Sequence, residues 1–405
     1  MEQVCEVCQY SLQGPILDLG KHPLCDDLVE FGNEIEVPKY RQLIQLCSRC
    51  LTAHQLMPVR KEELFKPNYH YRAGLTKDVL SGMRDLVVKV IEISNNSNPT
   101  IVLDVGCNDG SLLGIFKELL PDSITIGVDP TDAIRESENK IDYAYQAFFD
   151  EDIATKILNE HGTPDIICFT NVFAHIENFP ALLKSLKLLL GATTVLTIEN
   201  HYLGAILELN QFDTFYHEHP RTYSATSFSY IAYNLGLEID SIEFPSRYGG
   251  NIRVIMSPTK LPTHGSRVNL DIDEEGFIER FAALQMTFDT WKIESARVLK
   301  SMSIKGTFYG KSLPGRAVML ISSLELESKA MPGIFEQSKS PKVGFLVPGT
   351  SIEILSDEDL LNIKPDRIVV WAWHIIEEVC SYLTELGYHG EVWVPLPEFK
   401  IYKTL

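Results

Sequence analysis

Residues 100–116, TIVLDVGCNDGSLLGIF, limit what this chain can fold into more than any other stretch. A β-branched run, Ile101-Val102-Leu103, leads into Asp104 and a tight turn, Gly106-Cys107-Asn108-Asp109-Gly110. Ser111 reads as a helix N-cap, and Leu112, Leu113, Ile115 and Phe116 follow at helical spacing. Strand, glycine turn and helix in that order bring bare backbone to the carboxyl edge of a parallel sheet, where doubly wound folds keep their ligands. A second strand over 123–128 ends on Asp129, an acid placed to accept both hydroxyls of a ribose. The turn then chooses among nucleotide cofactors. A dinucleotide site wants G-x-G-x-x-G so that a pyrophosphate reaches the helix end, but Asn108 replaces the middle glycine and Asp109 repels phosphate. Acids and an amide suit a cofactor with an amino-acid tail and a sulfonium, S-adenosylmethionine. A dinucleotide and a purely structural turn are the alternatives.

The strand and helix patterns keep alternating. A helix is expected from Thr76 to Ser94, broken by Asn95-Asn96-Ser97-Asn98-Pro99. Residues 145–150, with Phe149, read as a short strand and a loop suited to flank an adenine ring, and 165–171 as a buried strand. Asn171 and His175 then emerge at the carboxyl edge of the sheet. A helix over 179–190 and a strand over 193–198 continue the parallel, doubly wound pattern. After a long helical run over 274–302, a second α/β pattern begins at Gly306, with strands near 343–345, 366–373 and 391–394 and a helix over 375–386.

Cys5-x-x-Cys8 and Cys47-x-x-Cys50 bracket the first fifty residues. Two such knuckles suit a tetrahedral Zn²⁺ held by four thiolates, which leaves no open position for catalysis. A redox pair is the alternative, but a redox C-x-x-C stands alone near a βαβ pattern. Cys25, Cys107, Cys168 and Cys380 read as small buried residues.

The net charge of −19 argues against nucleic acid or an anionic membrane as partner, since each needs a basic footprint. No apolar run approaches the ~20 residues that span a bilayer, and the N-terminus MEQVCEVCQYS is unlike a signal peptide. The expected setting is cytoplasmic, with a small-molecule substrate and a monomer or small homo-oligomer.

Chemistry concentrates at Gln211–Ser224, around Tyr216-His217-Glu218-His219. One reading is acid–base work: a histidine takes a proton from carbon, a carboxylate fixes its tautomer, and a tyrosine donates to a developing oxyanion. A His-x-His metal pair, completed by Glu199, His201 or His175, is a second reading, and a structural polar cluster a third. Further on, Arg247 and Arg253 flank the twin glycines Gly249-Gly250 and are placed to hold phosphate or carboxylate, with a bare β-turn and solvated arginines as the alternative.

The order of a four-cysteine domain, a cofactor domain, YHEH at 216–219, a GG-x-x-R strand and a second α/β domain resembles the sugar C-methyltransferases. These methylate carbon 3 of nucleotide-linked 4-keto-6-deoxy sugars. The resemblance covers essentially the whole chain. It implies domains over 1–68 (zinc), 69–270 (methyltransferase) and 271–405 (substrate binding, with a linker helix). By similarity His175, Tyr216, Glu218 and His219 are catalytic, and Tyr71 of the Asn68-Tyr69-His70-Tyr71 segment supplies an active-site tyrosine. Asp104, Gly106, Asn108, Asp129, Phe149 and Asn171 face the cofactor. Gly249-Gly250, Tyr309-Gly310-Lys311, Trp373 and Arg247 face the substrate. The chain departs from the family at Lys311 and Pro314 within YGKSLPGRA, at His374 in place of an asparagine, and at Arg247-Tyr248 before the twin glycines. An O- or N-methyltransferase on the same scaffold is the alternative activity.

Overall fold

The strand Ile101–Val105 lies inside a seven-stranded sheet. Its order is Leu237–Glu243, Asn251–Pro258, Val195–His201, Ile166–Thr170, Ile101–Val105, Ile124–Val128, Tyr143–Tyr145. The computed structural model describes residues 3–33, 35–75, 77–94, 101–258 and 272–405. The expected helix start at Thr76, the expected break at Asn95–Pro99 and the expected boundary at residue 270 lie outside them.

Asn251–Pro258 runs antiparallel to both neighbours, and the other pairings in the sheet are parallel. Helices Lys77–Ser94 and Ser111–Leu119 cover one face, while Phe179–Leu189 and Ala225–Leu235 cover the other. Because Ile124–Val128 and Ile166–Thr170 flank Ile101–Val105 on opposite sides, the connections leave in opposite directions and open a crevice at the carboxyl ends. Val195–His201 runs three residues beyond the expected strand, since its antiparallel partner pairs with it as far as Asn251↔His201. Ser111 is not the cap of its helix. Gly110 takes that place with φ 74°, and Asp109 Oδ1 accepts from the Ser111 amide at 3.2 Å and hydroxyl at 2.7 Å. A Cβ on Gly110 would meet Ser137 at 2.6 Å.

The C-terminal half carries an eight-stranded sheet in which Tyr309–Lys311, Arg367–Val370 and Glu391–Val394 fall where the pattern put strands. Gly333–Glu336, Glu353–Ser356 and Lys400–Thr404 join them. The long helix Phe277–Ile304 buries Phe281, Leu284, Phe288 and Trp291 in the core between this sheet and the N-terminal strands.

The three units exchange strands. Ile16–His22, Tyr40–Leu46 and Ala53–Gln55 form the cysteine domain's sheet, and Arg221–Thr222, just past YHEH, completes it by pairing with Ala53–Gln55. In the other direction, Val29–Glu30 pairs with Phe345–Leu346 at the edge of the C-terminal sheet. Among the described residues no helix is long and apolar enough to cross a membrane.

Candidate active site

The Sγ atoms of Cys5, Cys8, Cys47 and Cys50 all lie within 4.8 Å of one another, with Cys5–Cys50 at 3.4 Å and Cys8–Cys47 at 3.6 Å. A tetrahedral ion at about 2.3 Å from each thiolate needs sulfur separations of just this order. His54 Nε2 lies 3.2 Å from Cys5 Sγ, so its N–H can orient that ligand from outside the tetrahedron. The donor set therefore fits a closed, structural site. Among the described residues this is the one group of His, Cys, Asp and Glu suited to hold a metal. The His-x-His pair does not form: His217 turns to the cysteine domain, Nε2 3.1 Å from the Tyr40 carbonyl, while His219 points into the cavity. Glu199 is bound by Arg247, Arg253 and Asn251.

The crevice opens into a cavity of about 410 Å³ that all three units line. One end is built on the first turn. Asp104, Gly106, Asn108, Asp129, Phe149 and Asn171, the residues expected to face the cofactor, all line it. Asp104 is buried with Oδ1 unpartnered, and burial, reinforced by Asp129, pushes its pKa up to about 8. An orphaned acceptor at a cavity wall is costly unless a ligand donates to it. Asp129 Oδ1 accepts from the Thr131 amide at 2.8 Å and hydroxyl at 2.6 Å, and Oδ2 accepts from the Asn108 amide at 3.0 Å. With about four acceptor sites on a carboxylate, roughly one is left for a ligand. Gly106 carries φ 76°, and a Cβ there would overlap Val172, so only glycine fits this turn.

The other end holds the acid–base cluster. His175, Tyr216, Glu218, His219 and Tyr71 line it, together with Tyr69, His201, Tyr248 and His374. His219 lies between His175 and His201, its ring centroid 4.9 Å and 5.0 Å from theirs and 4.5 Å from that of Tyr216. Its Nδ1 is 2.8 Å from the Thr214 carbonyl, which only an N–H can approach, so Nε2 carries the free lone pair. Burial lowers its pKa to about 4, and the ring is neutral at pH 7. The Thr214 carbonyl, rather than Glu218, thus sets the tautomer. Glu218 instead accepts from Tyr69 Oη at 3.0 Å and from Cys25 Sγ at 2.9 Å, with His175 Nδ1 3.9 Å away. Burial raises Glu218 to about 7. Tyr69 reaches this cluster, whereas Tyr71 is 40% exposed and pairs with Tyr248 across 3.0 Å between hydroxyls. The expectation named Tyr71; it lines the cavity beside Tyr248, while Tyr69 is the tyrosine that reaches Glu218.

The residues expected on the substrate side do not line this cavity. Arg247 is buried and donates to Glu199 at 2.7 Å and to the Val79 carbonyl at 2.9 Å. Gly249 and Gly250 let the chain pass close to Gln211 and Ala205, and the side chain they present to the cavity is that of Tyr248. Tyr309 stacks on Phe335, Gly310 lies against Trp371 within the sheet, and Lys311 is buried in an ion pair with Asp357 at 2.7 Å. Trp373 donates to Asp213 at 2.9 Å. The C-terminal unit reaches the cavity one turn later, through Pro314, Gly315 and Arg316, and through Lys342 and His374.

Three family models match the chain in succession: a zinc binding domain over residues 5–65, a methyltransferase domain over 75–242 and a C-methyltransferase C-terminal domain over 246–397. The chain is 24% identical to the C-methyltransferase NovU of Streptomyces niveus over 411 residues, spanning 98% of this chain and 96% of NovU. Among solved structures, magnesium protoporphyrin IX methyltransferase ChlM from Synechocystis PCC 6803 with bound SAM matches 44% of this chain and 79% of its own, at 12% identity and TM-score 0.32. The plantazolicin methyltransferase BpumL in complex with SAH matches 44% and 83% at 15% identity and TM-score 0.35.

Proposed function

Since the chain belongs to the zinc-domain C-methyltransferases and is an S-adenosylmethionine-dependent methyltransferase, we propose that it methylates a carbon beside the ketone of a sugar, with a nucleotide-linked 4-keto-deoxy sugar as substrate. The observation that carries this reading is the neutral His219 with a bare Nε2, in the same cavity as the Asp104–Asn108 turn. S-adenosylmethionine, when bound, supplies an electrophilic methyl group. The chain's task is to make a carbon nucleophilic. A ketone makes the neighbouring C–H acidic because the electrons left behind spread onto oxygen. His219 Nε2 takes that proton, and Tyr216 donates to the oxygen as negative charge gathers there. Glu218 receives a substrate hydroxyl or supports the imidazolium that forms on His219, and His175 holds the substrate. We take the setting to be cytoplasmic, and the four thiolates to hold one structural Zn²⁺ per chain.

Incubating a nucleotide-linked 4-keto sugar with the protein in D₂O, without S-adenosylmethionine, tests the activity. Deuterium wash-in beside the ketone, read by mass spectrometry, is expected. No wash-in, followed by methylation of a hydroxyl once S-adenosylmethionine is added, would replace this reading with O-methylation.

Two substitutions test the assigned roles. Removing one oxyanion donor typically costs ~10²–10³ in turnover, so Tyr216→Phe is expected to be folded and slow by about that factor. Near-normal turnover would remove Tyr216 from the role. Asp129→Ala deletes a charged acceptor whose hydrogen bond is worth about 1.5–3 kcal/mol. Calorimetric titration is expected to show S-adenosylmethionine bound at least about tenfold more weakly. A lower melting temperature with unchanged affinity would instead make Asp129 a cap for Thr131 and Asn108.

A further inference from the structure

Arg316 lines the cavity, and its Nε and Nη2 donors are taken up by neighbouring protein groups. Nε is 2.8 Å from Asp213 Oδ2 and Nη2 is 2.6 Å from Asp213 Oδ1, a two-pronged ion pair. Nη2 also reaches Thr214 Oγ1 at 2.7 Å and Gln211 Oε1 at 3.1 Å, and Nη1 reaches the Tyr248 carbonyl at 3.0 Å. The guanidinium lies over the Trp373 ring at 5.0 Å, and Trp373 Nε1 donates to the same carboxylate at 2.9 Å. Asp213 and Thr214 are fully buried and Arg316 is 5% exposed. A carboxylate so enclosed is tolerated only with its partner in place. The turn Phe212–Phe215 that carries Asp213 and Thr214 also offers the Thr214 carbonyl to His219 Nδ1.

We propose that Arg316 is a positioning residue: by gripping Asp213 and Thr214 it holds the Thr214 carbonyl where it fixes His219 as the Nδ1–H tautomer. Arg316 belongs to the C-terminal unit and His219 to the methyltransferase unit, so docking of the two and orientation of the base are one event. The guanidinium fork is committed to this task, which separates Arg316 from a ligand for a substrate anion. The proposal rests on His219 being the base only for its effect on rate, because the tautomer itself is observable without substrate.

The experiment uses the full chain with ¹⁵N-labelled histidine and long-range ¹H–¹⁵N correlation at neutral pH, the His219 signals being assigned with His219→Gln. In the unaltered protein His219 is expected to show a protonated Nδ1 and a bare Nε2. In Arg316→Ala and in Asp213→Asn its signals are expected to move toward a mixture of tautomers, and kcat to fall on the order of 10²-fold, as for a misplaced catalytic group. KM for S-adenosylmethionine stays unchanged. Arg316→Lys keeps the charge but loses the fork, so it is expected to recover only part of the rate. It also serves, with Asp213→Asn, if Arg316→Ala does not fold. The double variant is expected to be no slower than the slower single variant, since the two residues act as a unit. A single Nδ1–H tautomer retained in the variants would overturn the proposal, as would a raised KM for the sugar with the tautomer unmoved. A shifted tautomer in a variant that keeps full activity would leave the positioning intact and instead sink the assignment of His219 as the base.

Discussion

Replacing His219 with alanine is expected to slow methyl transfer by about 10²–10⁴-fold, the span that a general base typically supplies, in a protein that still folds. The expectation follows from three local facts. The ring is neutral because burial holds its pKa at about 4. Its Nδ1–H is spent on the Thr214 carbonyl, which leaves Nε2 as the acceptor. The neighbouring imidazoles of His175 and His201 are also held well below their ordinary pKa, chiefly by burial, so neither brings a competing cation to the site at pH 7. Folding tolerates the change because His219 lines a cavity that water can enter, so the Thr214 carbonyl regains a partner. Single-turnover methyl transfer and deuterium wash-in are expected to fall together. A variant that keeps more than about a tenth of the rate, less than a general base supplies, would assign proton removal elsewhere, with His175 as the next candidate.

The second large effect is expected from Cys47→Ser. A structural thiolate site binds its ion with an apparent free energy of about 10–16 kcal/mol in finger-sized peptides, comparable with the whole stability of a typical domain at about 5–15 kcal/mol. Losing a ligand is therefore expected to unfold the cysteine domain. Damage should not stop there. Gln42 and Gln55 donate to the carbonyls of Phe215 and Tyr216, and Ala53–Gln55 pairs with Arg221–Thr222. The YHEH turn thus loses its outer support along with the ion. Metal analysis is expected to find about one zinc per chain in the unaltered protein, as four thiolates close around one ion, and none in the variant, with activity gone and an early melting transition. A zinc-free variant of normal activity would show that the cysteines are dispensable.

What could be read from the sequence and what could not divide along physical lines. The strand–turn–helix at 101–116 and the paired C-x-x-C knuckles were legible because short-range stereochemistry dictates them: a turn at positive φ and two sulfurs that face one ion. The turn at 106–110 falls at the carboxyl edge of the parallel sheet, where the pattern put it, and Tyr216, Glu218 and His219 line the same cavity. Choices made by partners distant in sequence were hidden. Lys311 resembled a substrate ligand, but Asp357 pairs with it inside the C-terminal unit. Arg247 resembled an anion anchor, but Glu199 on a neighbouring strand holds it. Tyr69 and Tyr71 sit on the same segment, and only the position of Glu218 tells them apart. Two-residue strands such as Val29–Glu30 and Arg221–Thr222 are too short to show a period of any kind.

The strand exchange has a consequence for how the protein is made. Val29 and Glu30 leave the ribosome long before Phe345 and Leu346, and Ala53–Gln55 long before Arg221 and Thr222. The nascent N-terminal unit therefore carries open strand edges while its partners are synthesised, the Val29–Glu30 edge through most of translation, the kind of surface that recruits other chains. Its own cysteines are all in place by residue 50, so an ion can close that unit while its partners are still being synthesised. An early-loaded metal would then act as a folding clamp during biosynthesis, and starving cells of zinc at that stage should direct new chains into aggregates while leaving finished molecules untouched.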